Sequence, residues 1–513
     1  MKMTVRSPIA YQRIAYPSML LLAACLSLPV QAAEATLSRE DMQWLNRVTY
    51  GVDSATLEQY RKLGRKKFLD AQLSAQQVGL PADIATQIDS LEVSQHTAQQ
   101  WLQLIASENQ RINALTDEMD KQAARKTLNE HANKLAYEAA RRHLLNAIYS
   151  PAQLREQMVW FWLNHFSVFQ GKGNVNWLAA DYERAIRSQS LGHFRELVLA
   201  TLKHPAMLQY LDNAQNAVNR INENYSRELM ELHILGVNGG YTQQDVQELA
   251  RVLTGVGINA TDNAPKLKAE WQPLYRHEDA FEFNPARHDF GNKTLLGKQI
   301  AGSGFNEVEQ AVDLLVAQPA CARFISNKLA TYFIGDTPSE ALLADMVKTF
   351  QRSNGDIAAV LRSLLSSREF AAAGGKQFKD PMHYVISSVR LAYDGKSIAN
   401  SHPIVNWLNA LGEPLFGRQT PDGYPLAAIN WSSSGQLSKR FEIARAIGSG
   451  NGGLFEPEDG SPPTRAGFPQ LATPLYFQYL QPQLSKTTLA ALDKATSQQE
   501  WNTYLLGSPE FNY

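Results

Sequence analysis

Hydrophobic and polar positions along this chain recur mostly with the period of an amphipathic helix. Ser38 to Asp41 has the form of a capping box and opens a helix predicted to end near Gly51. A second helix is predicted from about Asp53 to Leu63. Residues 82–150 contain neither Gly nor Pro and are rich in Ala, Leu, Gln, Glu, Lys and Arg. That composition predicts long helices, arranged as a helical hairpin. Pro151 suits the first turn of the next helix. This helix carries Val159-Trp-Phe-Trp-Leu-Asn-His-Phe166, apolar nearly all round, and is expected to be central and buried, with Gly171 and Gly173 closing it. Further helices are predicted over 177–189, 194–211 and 222–235, and Thr242 with Asp245 caps another ending near Gly255.

The helical period fails over 259–304, 412–434 and 448–467, where Gly, Pro, Asn and aromatic residues take over. Phe281-Glu282-Phe283 alternates as a short strand does. Helices resume over 306–372 and again from Pro381. The expectation is a mainly α fold: one large, irregular multi-helix domain over 33–513, with small β-hairpins in the long loops.

Composition then narrows the class. Lys2, Arg6 and Arg13 precede an apolar run from Met19 to Val30, and Val30-Gln31-Ala32 offers small residues for cleavage before Ala33. Residues 1–32 therefore read as an export signal, and a periplasmic or extracellular protein is expected. Leu22-Ala23-Ala24-Cys25 supports a second reading, a lipid anchor on Cys25. The run is too short to span a bilayer, and no transmembrane segment is expected. Removing three basic residues from a chain of net charge −1 leaves −4, which argues against a nucleic-acid partner. Only Cys321 then remains, in an apolar stretch that suits a buried small residue better than a nucleophile.

One long stretch is distinctive: Asn222-Glu-Asn-Tyr-Ser-Arg-Glu-Leu-Met-Glu-Leu-His-Ile-Leu-Gly236, followed by Gly239-Gly-Tyr-Thr and the helix to Gly255. Leu45-Asn-Arg-Val-Thr-Tyr-Gly51, Trp162-Leu-Asn-His-Phe166, His288-Asp-Phe-Gly-Asn-Lys293 with Leu296-Gly297, Ala322-Arg-Phe-Ile-Ser-Asn-Lys-Leu329, and Pro421-Asp-Gly-Tyr-Pro425 with Asn430-Trp431 accompany it in order. Together they resemble the domain-of-unknown-function 1800 family over nearly all of the mature chain. The resemblance implies an exported, mainly helical bacterial protein without an established activity. It also implies a neighbouring exported protein, similar to sulfatases, as a partner. It carries over no catalytic residues.

Chemistry must then be sought residue by residue. At helical spacing Asn224, Arg227, Glu228 and Glu231 share a face. Carboxylates three apart can ligate a divalent metal or act as an acid–base pair; the plain alternative is an Arg227–Glu231 pair on a solvated face. His165 is the polar break in an aromatic helix and must find partners if buried, whether a metal or a backbone carbonyl. His233 reads as a core histidine. His288-Asp289 lies in the irregular region, as a mobile catalytic loop or as a turn. There is no Walker-type phosphate loop and no His-Glu-x-x-His zinc helix.

The expected function is a hydrolase or transferase on an envelope or extracellular polymer. Its catalytic groups would be His165, Glu228, Glu231, His288 and Asp289, with Glu228, Glu231 and His165 as the metal ligands if a divalent ion binds. The rival is a non-catalytic envelope binding or assembly protein whose exposed aromatic loop, Tyr424 to Trp431, meets the sulfatase-like partner.

Overall fold

The computed structural model describes residues 37–74, 79–374, 377–462 and 468–513; residues 1–32, read above as an export signal, and Cys25 lie outside them. Helices dominate, and their boundaries follow local chemistry. The Ser38–Asp41 box is formed, with Asp41 N–H donating to Ser38 Oγ at 3.0 Å, and opens the helix Arg39–Val48. Asp53 caps Ser54–Gln72, which outruns its predicted end by turning through Gly64 at φ 71°. Glycine reaches that angle without a Cβ penalty.

The Gly- and Pro-free stretch holds the helices Ala82–Asp89, Ala98–Ala114 and the 32-residue Glu118–Tyr149, the last about 48 Å long at 1.5 Å per residue. Helix Gln153–His165 buries all but two of its residues, as its aromatic composition predicts. Pro151 lies ahead of its N-cap, and the helix stops at His165, well short of the two glycines expected to close it. Helix Val175–Gln189 packs against it. Where these elements meet, Arg142 pairs with Glu183 at 2.9 Å and Arg187 with Glu156 at 2.6 Å, all but Arg187 buried. Removing one partner there would strand a buried charge, so the pairs fix how the helices register.

The helix predicted over 194–211 is two, Phe194–Lys203 and Pro205–Tyr210, because Pro205 has no N–H to continue the first. The helix predicted over 222–235 begins as Asn224–Glu228 and widens into a π turn, Leu229–Ile234. In the irregular region, Val256–Ile258, Arg276–Glu278 and Phe281–Phe283 form an antiparallel sheet with the last strand central. Lys293–Leu295 and Lys298–Ile300 form a separate hairpin. The mainly α reading with small hairpins holds, and Ser38–Tyr513 is one compact unit. Among the described residues no helix is long and apolar enough to cross a membrane. Cys321 is fully buried, as its apolar setting predicts.

Candidate functional site

Four segments from distant parts of the chain meet around His165. The aromatic helix ends there with its imidazole buried among Phe161, Trp162 and Phe166. Its Nε2–H donates to the His233 carbonyl at 2.8 Å, one of the carbonyls that a helix C-terminus leaves unpaired. That bond fixes the tautomer and leaves Nδ1 as a buried lone pair with no protein partner. The His233 ring stands 5.9 Å away, fully buried, with neither nitrogen bonded. Buried polar atoms without partners are rare and point to function or to a strained core.

The third segment is helix Pro319–Ile334, which presents Phe324 and Lys328 one turn apart. Phe324 lies near His165 and packs so closely on Gly236 that a Cβ there would sit 2.8 Å from the ring. Lys328 is half-buried, 5.5 Å above the Phe324 ring, and makes no hydrogen bond or ion pair among the described residues. The fourth is the loop Pro421–Pro425. Asn164 Nδ2 donates to Tyr424 O at 3.0 Å, and Tyr424 N–H returns to Asn164 Oδ1 at 2.5 Å. At Gly423, φ 76°, an added Cβ would lie 2.2 Å from the Asn164 carbonyl oxygen, so only glycine lets the loop come this close. The loop thereby carries Asp422, held by Arg418 at 2.9 Å, to the margin of the site.

These groups tune one another. Burial, with Lys328 second, drives His165 well below its usual value, and the same pair of causes pushes His233 down to about 3. Both imidazoles are neutral at pH 7. Burial lowers Lys328 to about 8, against the pull of Asp422. Burial raises Glu228, helped by the neighbouring Glu231 and by Asp422. The arrangement runs from neutral buried rings, through half-buried Glu228, Glu231 and Lys328, to the exposed Asp422. It offers a carboxyl inclined to keep its proton, a second carboxylate and an amine near neutrality, a set suited to proton transfer.

Several expectations change. Arg227 pairs with Glu223 at 3.2 Å, not with Glu231; Glu231 instead accepts from the Tyr241 hydroxyl at 3.5 Å. Among the described residues no hydrogen bond joins His165 to Glu228 or Glu231: its Nε2–H goes to the His233 carbonyl and its Nδ1 meets no protein partner. Among the described residues no three His, Cys, Asp or Glu side chains gather as a metal-ligand set, so Glu228, Glu231 and His165 lack the geometry of a shared ion. Trp431, expected on an exposed aromatic surface, is buried and donates to Pro425 O at 3.1 Å.

His288 and Asp289 belong to a different cluster. His288 Nε2 meets Glu307 Oε1 at 2.9 Å, its Nδ1 meets Thr254 O at 2.7 Å, and Lys293 Nζ donates to Glu307 Oε2 at 2.5 Å. Asp289 is held by Arg251 at 2.8 Å and by the Gly291 N–H. No hydrogen bond, ion pair or ring contact among the described residues links them to His165, Glu228 or Glu231. Sequence reasoning missed Lys328 and Asp422 and read His233 only as core. The signal was present, since both missed residues lie inside segments that carry the family resemblance, yet neither spacing nor composition marks them.

The model of the family described as protein of unknown function, DUF1800, matches residues 43–513. No curated protein and no solved structure matches the chain. The matched span contains all four segments that build the site, and the chain belongs to the DUF1800 family.

Proposed function

We propose that this protein is an exported hydrolase or transferase acting on an envelope or extracellular polymer, and that it works by proton transfer at Glu228, Glu231 and Lys328. In this scheme Glu228 donates its proton to the leaving-group oxygen. Glu231 accepts a proton from the attacking water or hydroxyl. The Lys328 ammonium offsets the negative charge that develops between them. His165 and His233, buried and neutral, set the floor beneath Lys328 and hold the end of the π turn in place.

One observation carries the reading: a half-buried amine with no ion pair among the described residues lies in the same site as a carboxyl whose hold on its proton is strengthened by burial and by a second carboxylate. Such groups are disfavoured as mere packing. With Trp431 buried and Tyr424 half-buried, the loop Tyr424–Trp431 offers the binding-protein alternative less aromatic surface than it called for.

The test is release of soluble fragments, or transfer of labelled ones, from isolated envelope polymer by the mature protein. Wild type should act, and Glu228→Gln, which keeps size and hydrogen bonding, should lose about 100-fold. Equal turnover by the two proteins would sink the proposal, as would no turnover across the envelope polysaccharides and peptidoglycan.

A further inference from the structure

A second set of ionisable groups, built by other elements, surrounds a cavity of about 310 Å³. One wall is the face of helix Arg39–Val48 that carries Arg39, Asn46 and Arg47. Lys379, just ahead of helix Pro381–Tyr393, and His383, in its first turn, also line the cavity. Asp380 caps that helix, accepting from His383 N–H at 2.7 Å, and its carboxylate also meets His383 Nδ1 at 3.0 Å. Gln157 Oε1 receives the other ring nitrogen at 3.1 Å. His383 is therefore fixed in orientation and nearly buried.

The cations here are not neutralised. Lys379 Nζ donates to the Phe511 carbonyl at 2.6 Å and lies 4.0 Å from the Phe511 ring, with no carboxylate on it. Arg47, 8% exposed, gives its terminal nitrogens to the Phe370 and Phe333 carbonyls and leaves Nε buried without a partner. Arg39 is exposed at the rim and makes no ion pair among the described residues. Glu510, on the wall, is already taken by Ser485 N–H at 2.9 Å and Thr488 Oγ1 at 2.7 Å. Burial, reinforced by Arg440, pushes Lys379 down to about 7, as expected of a sheltered amine that lacks a counter-charge.

A smaller chamber of about 60 Å³ adjoins it, sharing Asn46, Lys379 and Glu510, and is walled by Leu391, Leu484, Leu505 and Phe511. A cationic room opening onto a small apolar one fits a ligand with an anionic head and a short hydrocarbon tail. We propose that this cavity binds a small organic monoanion, its carboxylate between Arg39, Arg47 and Lys379 and its tail against Leu484 and Leu505. Neither Glu228 nor Lys328 lines it, so its fate does not depend on the catalytic reading.

The probe is hexanoate, titrated by calorimetry into the full mature protein at pH 6.5. Saturable one-to-one binding is expected, at least tenfold tighter than for acetate, which lacks the tail, and absent for hexanol, which lacks the charge. Lys379→Met should abolish binding. Arg39→Gln, altered at an exposed position that leaves folding alone, should weaken it three- to tenfold. Equal affinity for hexanoate and hexanol, no saturable binding by wild type, or an Arg39→Gln protein that binds as well as wild type would overturn the assignment.

Discussion

Two clusters of buried ionisable groups, each with a histidine at its centre, make an instructive pair. Around His288, Glu307 is fully buried and accepts from His288, from Lys293 and from the N–H groups of Ser303 and Gly304. Both ring nitrogens of His288 are used. Around His165, three imidazole nitrogens have no protein partner and Lys328 has no counter-ion in reach of a bond. A satisfied network holds a fold together; a set with spare capacity is available to something else. By that criterion His288 is a strut for the loop 254–307, and the region of His165 is where chemistry belongs.

Five experiments can break or sharpen this contrast. The largest effect is expected from Glu307→Ala, which leaves Lys293 buried and unpaired and should cost about 3–5 kcal/mol in denaturant unfolding. The same cluster sets an acid limit. Burial would raise Glu307, but hydrogen bonds from His288 and Lys293 outweigh it and hold the carboxyl below 4.5. Its contribution is thus complete above the unfolded value near 4.5 and is lost as pH falls through the folded one. A Glu307→Gln protein should show a shallower loss of stability as pH falls below about 4.5.

Next in size is Lys328→Met. It should cut polymer turnover about 100-fold with little change in melting temperature, since no bond of the fold depends on the amine. An equal loss of stability would show that Lys328 is structural and erase the distinction between the clusters. A smaller signature is the alkaline limb of wild-type turnover. Lys328 is a cation below about 8, so activity should decline above that pH by about tenfold per unit, and the limb should vanish in Lys328→Met. The smallest expected change is the stability of His233→Leu. Removing two unpartnered buried nitrogens should leave unfolding within ~1 kcal/mol of wild type; a loss of several kcal/mol would mean that His233 is bonded in solution.

The fold was largely legible because its signals are local. Ser38–Asp41 and Thr242–Asp245 are capping boxes written in four residues, and both formed. Phe281–Phe283 alternates and is a strand. The site was less legible because its partners are remote. Glu307 lies 19 residues from His288, and Asp422 is brought to Glu228 only by the tolerance of Gly423 for Asn164. Glu228, Glu231 and His165 make no direct bond to one another among the described residues; the charges of Lys328 and Asp422, from other segments, act on His165 and on Glu228. Asp380-Pro-Met-His383 carried a readable signal, an N-cap followed by a first-turn proline and a histidine positioned to fold back on the cap.

The π turn at Leu229–Ile234 has a consequence for the numbering of the whole molecule. Its N–H groups reach back five residues, as Leu235 does to the Met230 carbonyl at 2.8 Å, so the turn holds one more residue than a regular helix would. A regular helix turns about 100° per residue and would set Glu228 and His233, five positions apart, about 140° away from each other. The wider winding takes up the additional residue and brings the two toward one side of the segment. Excising Leu232 would leave them four apart in an ordinary helix, still on that side, so the bulge lengthens the segment without changing the face it presents.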